Sequence, residues 1–138
     1  MSRLQLALRV GDLEGSIAFY EKLLGVAPAK QRADYANFVI EEPRFKLVLL
    51  PGEPGQSTVL DHLGIEVDTT EEVNDAADRF DAIGVDKELE PGTACCYALQ
   101  NKVWVHGPGN EPWEVYTVVA EADVLGKSSE IAAGHGSR

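Results

Sequence analysis

The chain has 138 residues, 44% of them hydrophobic, and a formal net charge of -11, enough for one compact domain or two small modules sharing a core. Such acidity repels a phosphate backbone or an anionic bilayer, so neither nucleic acid nor membrane is an expected partner. No apolar run is long enough to cross a bilayer, and Met1-Ser2-Arg3-Leu4 lacks the basic-then-apolar build of an export signal, so the expected location is cytoplasmic.

Leu4, Leu6, Leu8 and Val10 alternate with Gln5, Ala7 and Arg9, the period of a strand with one buried face. Asp12 is placed to cap a helix. Leu13, Ile17, Tyr20 and Leu24 follow at helical spacing, and Gly25 can end that helix in a left-handed turn. Strands are expected near Lys30 to Arg32, Ala36 to Ile40 and Phe45 to Leu50, before the breakers Pro51, Gly52, Pro54 and Gly55. From His62 the order restarts. Leu63, Ile65 and Val67 alternate with His62, Gly64 and Glu66; Thr69 and Glu72 form a capping-box pattern; Val73, Ala76, Ala77, Phe80 and Ile83 make a helical stripe ending at Gly84. Strand candidates then fall at Lys87 to Glu90, Tyr97 to Leu99, Lys102 to His106 and Glu114 to Val119.

Laid on each other, Gln5-Leu6-Ala7-Leu8-Arg9-Val10 matches His62-Leu63-Gly64-Ile65-Glu66-Val67, and Gly25-Val26 matches Gly84-Val85 after a two-residue insertion. The chain therefore reads as two βαβββ modules. Because strand side chains alternate, Gln5 shares a face with Ala7 and His62 with Gly64, away from the leucine-rich faces that should meet the helices. Two polar groups beside small residues line a cup, and Glu114 on the last strand can join them. Its counterpart in the first module is expected near Leu47, which cannot bind metal. Three ligands then leave open positions of the kind catalytic metals use, and imidazole with oxygen donors suits Fe(II), Mn(II), Ni(II), Co(II) or Zn(II). Taken singly, each of these residues reads as a solvated strand residue. His106 belongs to the turn-like His106-Gly107-Pro108-Gly109-Asn110, a structural or exposed position, and His135 to the tail.

The only two cysteines, Cys95 and Cys96, are neighbours and cannot staple distant segments, which points to a reducing compartment. Two adjacent thiolates chelate a soft, thiophilic atom far better than one, because the second bond is intramolecular. On a regular strand they would face opposite sides, so joint chelation needs a distorted backbone, expected from Glu90-Pro91-Gly92-Thr93 just upstream. The competing reading is a buried, inert pair of small apolar residues.

The repeat and Gly107-Pro108-Gly109-Asn110-Glu111-Pro112-Trp113-Glu114-Val115-Tyr116 resemble the vicinal oxygen chelate superfamily of glyoxalases, bleomycin-resistance proteins and extradiol dioxygenases. Thr93-Ala94-Cys95-Cys96-Tyr97-Ala98, Asp34-Tyr35-Ala36-Asn37-Phe38 and Phe45-Lys46-Leu47-Val48-Leu49-Leu50 are similar to the carbon-arsenic lyases and to cadmium-induced proteins. The resemblance implies an α+β fold, two βαβββ modules (about residues 3–50 and 60–120) forming a cupped mixed sheet around a metal site, in one domain over 1–120; the Gly- and Ser-bearing tail over 121–138 lies outside it and is expected to be flexible. It implies that Gln5, His62 and Glu114 hold Fe(II), and that Cys95 and Cys96 bind a trivalent organoarsenical. The implied activity is dioxygenase cleavage of its carbon-arsenic bond with O₂, releasing arsenite in arsenic detoxification. Tyr97 and Lys102 fall in the same segment without a transferred role. The expected assembly is a monomer or homodimer. Two other functions fit parts of the pattern: a non-enzymatic cadmium- or arsenite-binding protein, which needs only the thiols, and a glyoxalase-type metalloenzyme, which does not need them.

Overall fold

Alternation and capping build the first module as expected. In the computed structural model, which describes residues 2–121, β1 (Arg3–Val10) leads into α1 (Leu13–Leu24). Asp12 accepts the Gly15 N–H, and Gly25 ends the helix at φ 72°, a left-handed conformation that costs a residue with a Cβ. The module continues with β2 (Lys30–Arg32), β3 (Tyr35–Glu41) and β4 (Arg44–Pro51). The second module contains β5 (Val59–Glu66), α2 (Thr70–Ala82), β6 (Glu88–Cys95), β7 (Ala98–His106) and β8 (Pro112–Glu121). Thr69 and Glu72 close the capping box reciprocally at the start of α2. Residues 122–138, with the expected tail and His135, lie outside the described residues.

All eight strands form one sheet in the order β2-β3-β4-β1-β5-β8-β7-β6, curled into a half-barrel with the two helices packed on it. The parallel pairs β1·β4 and β5·β8 sit among antiparallel neighbours, so the sheet is mixed. Modules meet through β1 and β5, with Gln5 opposite Gly64 and Ala7 opposite His62. The two-module expectation holds.

The helices cover the convex face. Ile17 of α1 packs with Val10, Phe38, Ile40, Leu47 and Leu49, while Val73, Ala76 and Ala77 of α2 pack with Val103 and Val115. A third cluster, Ala7, Tyr35, Val48 and Leu50, lines the concave face. This placement corrects one expectation. The parallel registers put Val48 opposite Ala7 and Glu114 opposite Gly64, so the counterpart of Glu114 is Val48, whereas Leu47 points to α1. A one-residue slip in a strand exchanges faces, which is why an inexact repeat alignment missed it. Val48 binds metal no better than Leu47 does.

The expected strands at Tyr97 to Leu99 and Lys102 to His106 merge into one β7 that starts at Ala98, Tyr97 being left in the preceding turn, and it pairs with β8 through a register shift at Leu99/Gln100. Thr93 to Cys95 belong to β6 and pair with Ala98 to Gln100, so Cys95 lies on a strand and not in a loop. Phe38 is fully buried under α1. Truncating it leaves a cavity, and Phe38→Ala should lower unfolding stability by about 3–5 kcal/mol in urea denaturation, with an unchanged midpoint contradicting this packing.

Candidate active site

The concave face brings the three expected ligands into contact. Gln5 Nε2 donates to Glu114 Oε2 at 2.6 Å and lies 3.2 Å from His62 Nε2. His62 Nε2 is 2.9 Å from Glu114 Oε2, and all three side chains are buried. Gly64 makes this possible: a Cβ there would come within 2.9 Å of Gln5 Nε2 and 3.0 Å of Glu114 Cγ. Among the described residues no three His, Cys, Asp or Glu side chains form a metal-binding group, so the constellation depends on the Gln5 amide.

The donor set fits a divalent cation. Ligands at about 2.0–2.2 Å from a metal and at right angles to each other stand about 3 Å apart, close to the separations observed here. Asp61 Oδ2 is 2.8 Å from His62 Nδ1, which fixes the ring and turns Nε2 toward Gln5 and Glu114. Asp61 is held in turn by Arg9, 2.9–3.0 Å away. It escaped the sequence reading because a neighbour of His62 should face the other side. The β1–β5 register jumps from Ala7↔His62 to Leu8↔Leu60, making Asp61 the extra residue of a β-bulge and turning it toward the imidazole. No sequence signal marks this bulge.

Charge is tightly compensated. Burial disfavours the Glu114 carboxylate, but Lys102 (Nζ to Oε1 2.5 Å) and His62 outweigh that effect and hold it well below the ordinary carboxylate range. Burial likewise opposes charge on Lys102, yet Glu114 and then the two thiols keep it protonated far above neutrality. For His62, burial is overcome by Glu114 and Asp61, and its pKa rises to about 9. Lys102, left without a role by the sequence, is thus the buried counter-ion of the site. Trp104 stands edge-on to His62, ring centroids 5.4 Å apart, with Lys102 5.5 Å from the Trp104 ring centre.

Cys95 and Cys96 lie at the β6–β7 hairpin. Their sulfurs are 3.1 Å apart and share a hydrogen bond without a disulfide. Cys95 pairs with Ala98, leaving Cys96 (φ 56°) and Tyr97 (φ 62°) as a two-residue turn with both centres left-handed. The distortion that aligns the sulfurs is therefore this turn. Pro91 and Gly92 do form a bulge, but it lies farther up the strand and leaves Cys95 in regular pairing. Tyr97 fastens the tip: its hydroxyl donates to Asp34, Lys30 donates to its carbonyl at 3.0 Å, and Arg32 lies 5.2 Å from its ring centre. Cys96 and Tyr97 pack on the concave cluster of Ala7, Tyr35, Val48 and Leu50. The hydrogen bond with Cys95, then burial, pushes the Cys96 thiol well up. Tyr35 is raised by burial, then by Cys96, against the hydrogen bond from Asn37, with smaller effects of Cys95 and Glu114.

The fold places the chain in a known class. A sequence profile of the Glyoxalase/Bleomycin resistance protein/Dioxygenase superfamily matches residues 3–115, and the chain belongs to that superfamily. Within it, a trivalent organoarsenical cleaving enzyme of Thermomonospora curvata is 57% identical over 132 residues, covering 96% of this chain and 87% of the relative. Cadmium-induced protein CadI of Mycobacterium tuberculosis is 51% identical over 126 residues, covering 91% and 82%. The Mn(II)-bound glyoxalase of Novosphingobium aromaticivorans shares the fold with a TM-score of 0.62 at 20% identity, over 90% of this chain and 43% of that one. The superfamily and its relation to organoarsenical-cleaving and cadmium-induced proteins are as the sequence suggested. Among the described residues no helix is long and apolar enough to cross a membrane.

Gly64→Ala should push the Gln5 amide off Glu114 and weaken Mn(II) affinity by roughly tenfold or more, as loss of ligand positioning does elsewhere; calorimetry showing wild-type affinity would remove Gln5 from the site. A pH effect follows from Glu66. Burial would raise its carboxyl, but Lys46 and Arg3 outweigh burial and hold it below its ordinary 4.5. A depressed folded-state pKa gives stability that is present above the unfolded value and lost as pH falls through the folded one. Glu66→Gln should therefore flatten the fall in stability below pH 4.5, read by denaturation at stepped acid pH.

Proposed function

We propose that this protein is an Fe(II)-dependent dioxygenase that cleaves the carbon-arsenic bond of trivalent organoarsenicals, methylarsenite and aromatic arsenicals alike, and releases arsenite. One observation carries the reading: two thiols 3.1 Å apart, of which Cys96 packs on Ala7, lie on the face where Ala7 stands opposite His62 and where a buried amide, imidazole and carboxylate meet that could hold a divalent cation. The relation to a trivalent organoarsenical cleaving enzyme at 57% identity supports it.

A trivalent organoarsenical carries two hydroxyls and one carbon substituent. Condensation with Cys95 and Cys96 forms two As–S bonds and releases two waters, which take up both thiol protons. The second bond forms intramolecularly and therefore at high effective concentration. With two valences occupied by sulfur, the organic group is the only substituent left to face Gln5, His62 and Glu114, and its position relative to the cup is fixed. Fe(II), when bound by these three residues, supplies the one-electron chemistry that makes O₂ reactive. Methylarsenite plus O₂ balances to formaldehyde plus arsenite, and an aromatic arsenical plus O₂ and water balances to a catechol plus arsenite, so neither reaction needs an external reductant. Lys102 keeps Glu114 ionised as a ligand, and Asp61 keeps Nε2 of His62 directed into the cup. Trp104 and Tyr35 limit water around the organic group. Gln5, His62 and Glu114 are at most 4% exposed, so substrate entry needs a local opening; we assign it to the Cys96-Tyr97 turn, fastened through Tyr97 to Lys30, Arg32 and Asp34.

Sequestration alone would need the thiols but not a second cluster of buried charges, which costs free energy to desolvate. A glyoxalase-type reaction would need the cluster but give the thiols no task. Fe(II)-loaded protein incubated with methylarsenite should release arsenite under air and none under nitrogen. Arsenite formation independent of oxygen, or stoichiometric binding without turnover, would overturn the assignment. Cys95→Ser with Cys96→Ser should lower turnover at least about a hundredfold through lost chelation while iron content stays near wild type.

A further inference from the structure

Behind the cup, Tyr116 Oη sits at the meeting point of three groups. It donates to Gln5 Oε1 at 2.5 Å, stands 3.1 Å from Glu66 Oε1 and accepts from Lys46 Nζ at 3.3 Å. A phenol has one hydrogen. Gln5 Oε1 and the Glu66 carboxylate are both acceptors, so one of these two contacts lacks a donor while the amide stands as it does. Glu66 has other donors, Arg3 Nε at 3.1 Å and Lys46 Nζ at 3.5 Å, and tolerates the conflict. On the cup side the same orientation points Gln5 Nε2, a donor, at Glu114 Oε2. A metal needs the amide's other end, because only the carbonyl oxygen has a lone pair for a cation.

Building on the metal-cup reading above, we infer that the Gln5 amide is a two-position element, and that Tyr116 backed by Glu66 is the positioning residue that holds its cation-binding orientation. Turning the amide over exchanges Oε1 and Nε2. Nε2 then donates to Tyr116 Oη, the tyrosine hydroxyl donates to Glu66 alone, and Lys46 and Arg3 continue to satisfy that carboxylate. Every contact behind the cup then has one donor and one acceptor. In front, Oε1 would face Glu114 Oε2, the nearer contact, and His62 Nε2, which already lies 2.9 Å from that carboxylate oxygen; the two oxygens repel each other unless a cation lies between them. The turned amide is thus favoured behind the cup and disfavoured in front, and a cation removes the frontal penalty. The cation selects the orientation by its differential affinity for the two arrangements.

Tyr116→Phe keeps the ring and removes only the hydroxyl. Mn(II) titrated into the full chain should bind this variant about 10–100-fold more weakly, the range found when outer-shell partners of metal ligands are lost. The same substitution in a Gln5→Glu background should cost little, because the ends of a carboxylate are equivalent and no orientation remains to be selected. Zn(II), spectroscopically silent itself, should produce a tyrosine difference spectrum in wild type that disappears in Tyr116→Phe. Equal losses in both backgrounds, no loss in the wild-type background, or the absence of a tyrosine signal would overturn the inference. Gln5→Ala separates this from failure of the metal site: if Gln5→Ala binds Mn(II) normally, Gln5 is not a ligand and both readings fall. If Gln5→Ala weakens binding and Tyr116→Phe does not, only the positioning role of Tyr116 falls.

Discussion

Antiparallel pairing of β1 with β5, placing Gln5 opposite Gly64 and Ala7 opposite His62, is the constraint on which the site depends. It joins the modules into one sheet and places two polar side chains diagonally on the same concave face, each opposite a small residue. The parallel β5·β8 pair then delivers Glu114 beside Gly64. A shift of one residue along β1 or β5 would send Gln5 or His62 to the helix side and fill the cup with leucine. The bulge at Asp61 is part of the same junction. The strand irregularity and the orientation of the imidazole therefore have one cause.

The junction collects charge that would be costly apart. Glu114, Lys102, His62 and Asp61 are mutually paired, and Arg9 completes the group at the cup edge. A second group, Glu66 with Arg3 and Lys46, stands behind Tyr116. Removing one member of a buried pair leaves the other uncompensated and typically costs more than the pair contributed. Such an arrangement gives a rigid cup whose polar side can accept a change of charge. The thiol hairpin differs in kind. Cys96 and Tyr97 hold left-handed backbones, each costing on the order of 1–2 kcal/mol for a residue with a Cβ, and the contacts of Tyr97 with Lys30, Arg32 and Asp34 offset that strain. A segment held by a few peripheral contacts against its own backbone preference can move while the cup stays fixed.

Much of this was legible from one sequence because the signals were periodic and local. Alternation marked β1 and β5, Asp12 and Thr69 marked the helix starts, and the repeat itself marked Gln5 and His62 as equivalent positions. Glu114 followed from its place on a final strand. Cys95 and Cys96 were conspicuous as neighbours, and their need for an irregular backbone followed from strand geometry. Turn propensity points instead to Glu90-Pro91-Gly92-Thr93, where proline and glycine stand together. The turn at Cys96-Tyr97 contains neither glycine nor asparagine, so propensity gave no sign of it.

The sequence by itself determined the two-module architecture, the helix boundaries, the side of each strand that carries Gln5, His62 and Glu114, and the neighbouring thiols, since all of these follow from spacing along the chain. Only the tertiary structure decided that Asp61 orients His62, that Lys102 neutralises Glu114, that Val48 and not Leu47 stands in the fourth position, and that Tyr116 and Glu66 lie behind the Gln5 amide. Each of these depends on strand register or a bulge, properties set when distant segments pair. A single residue of register changes which groups meet.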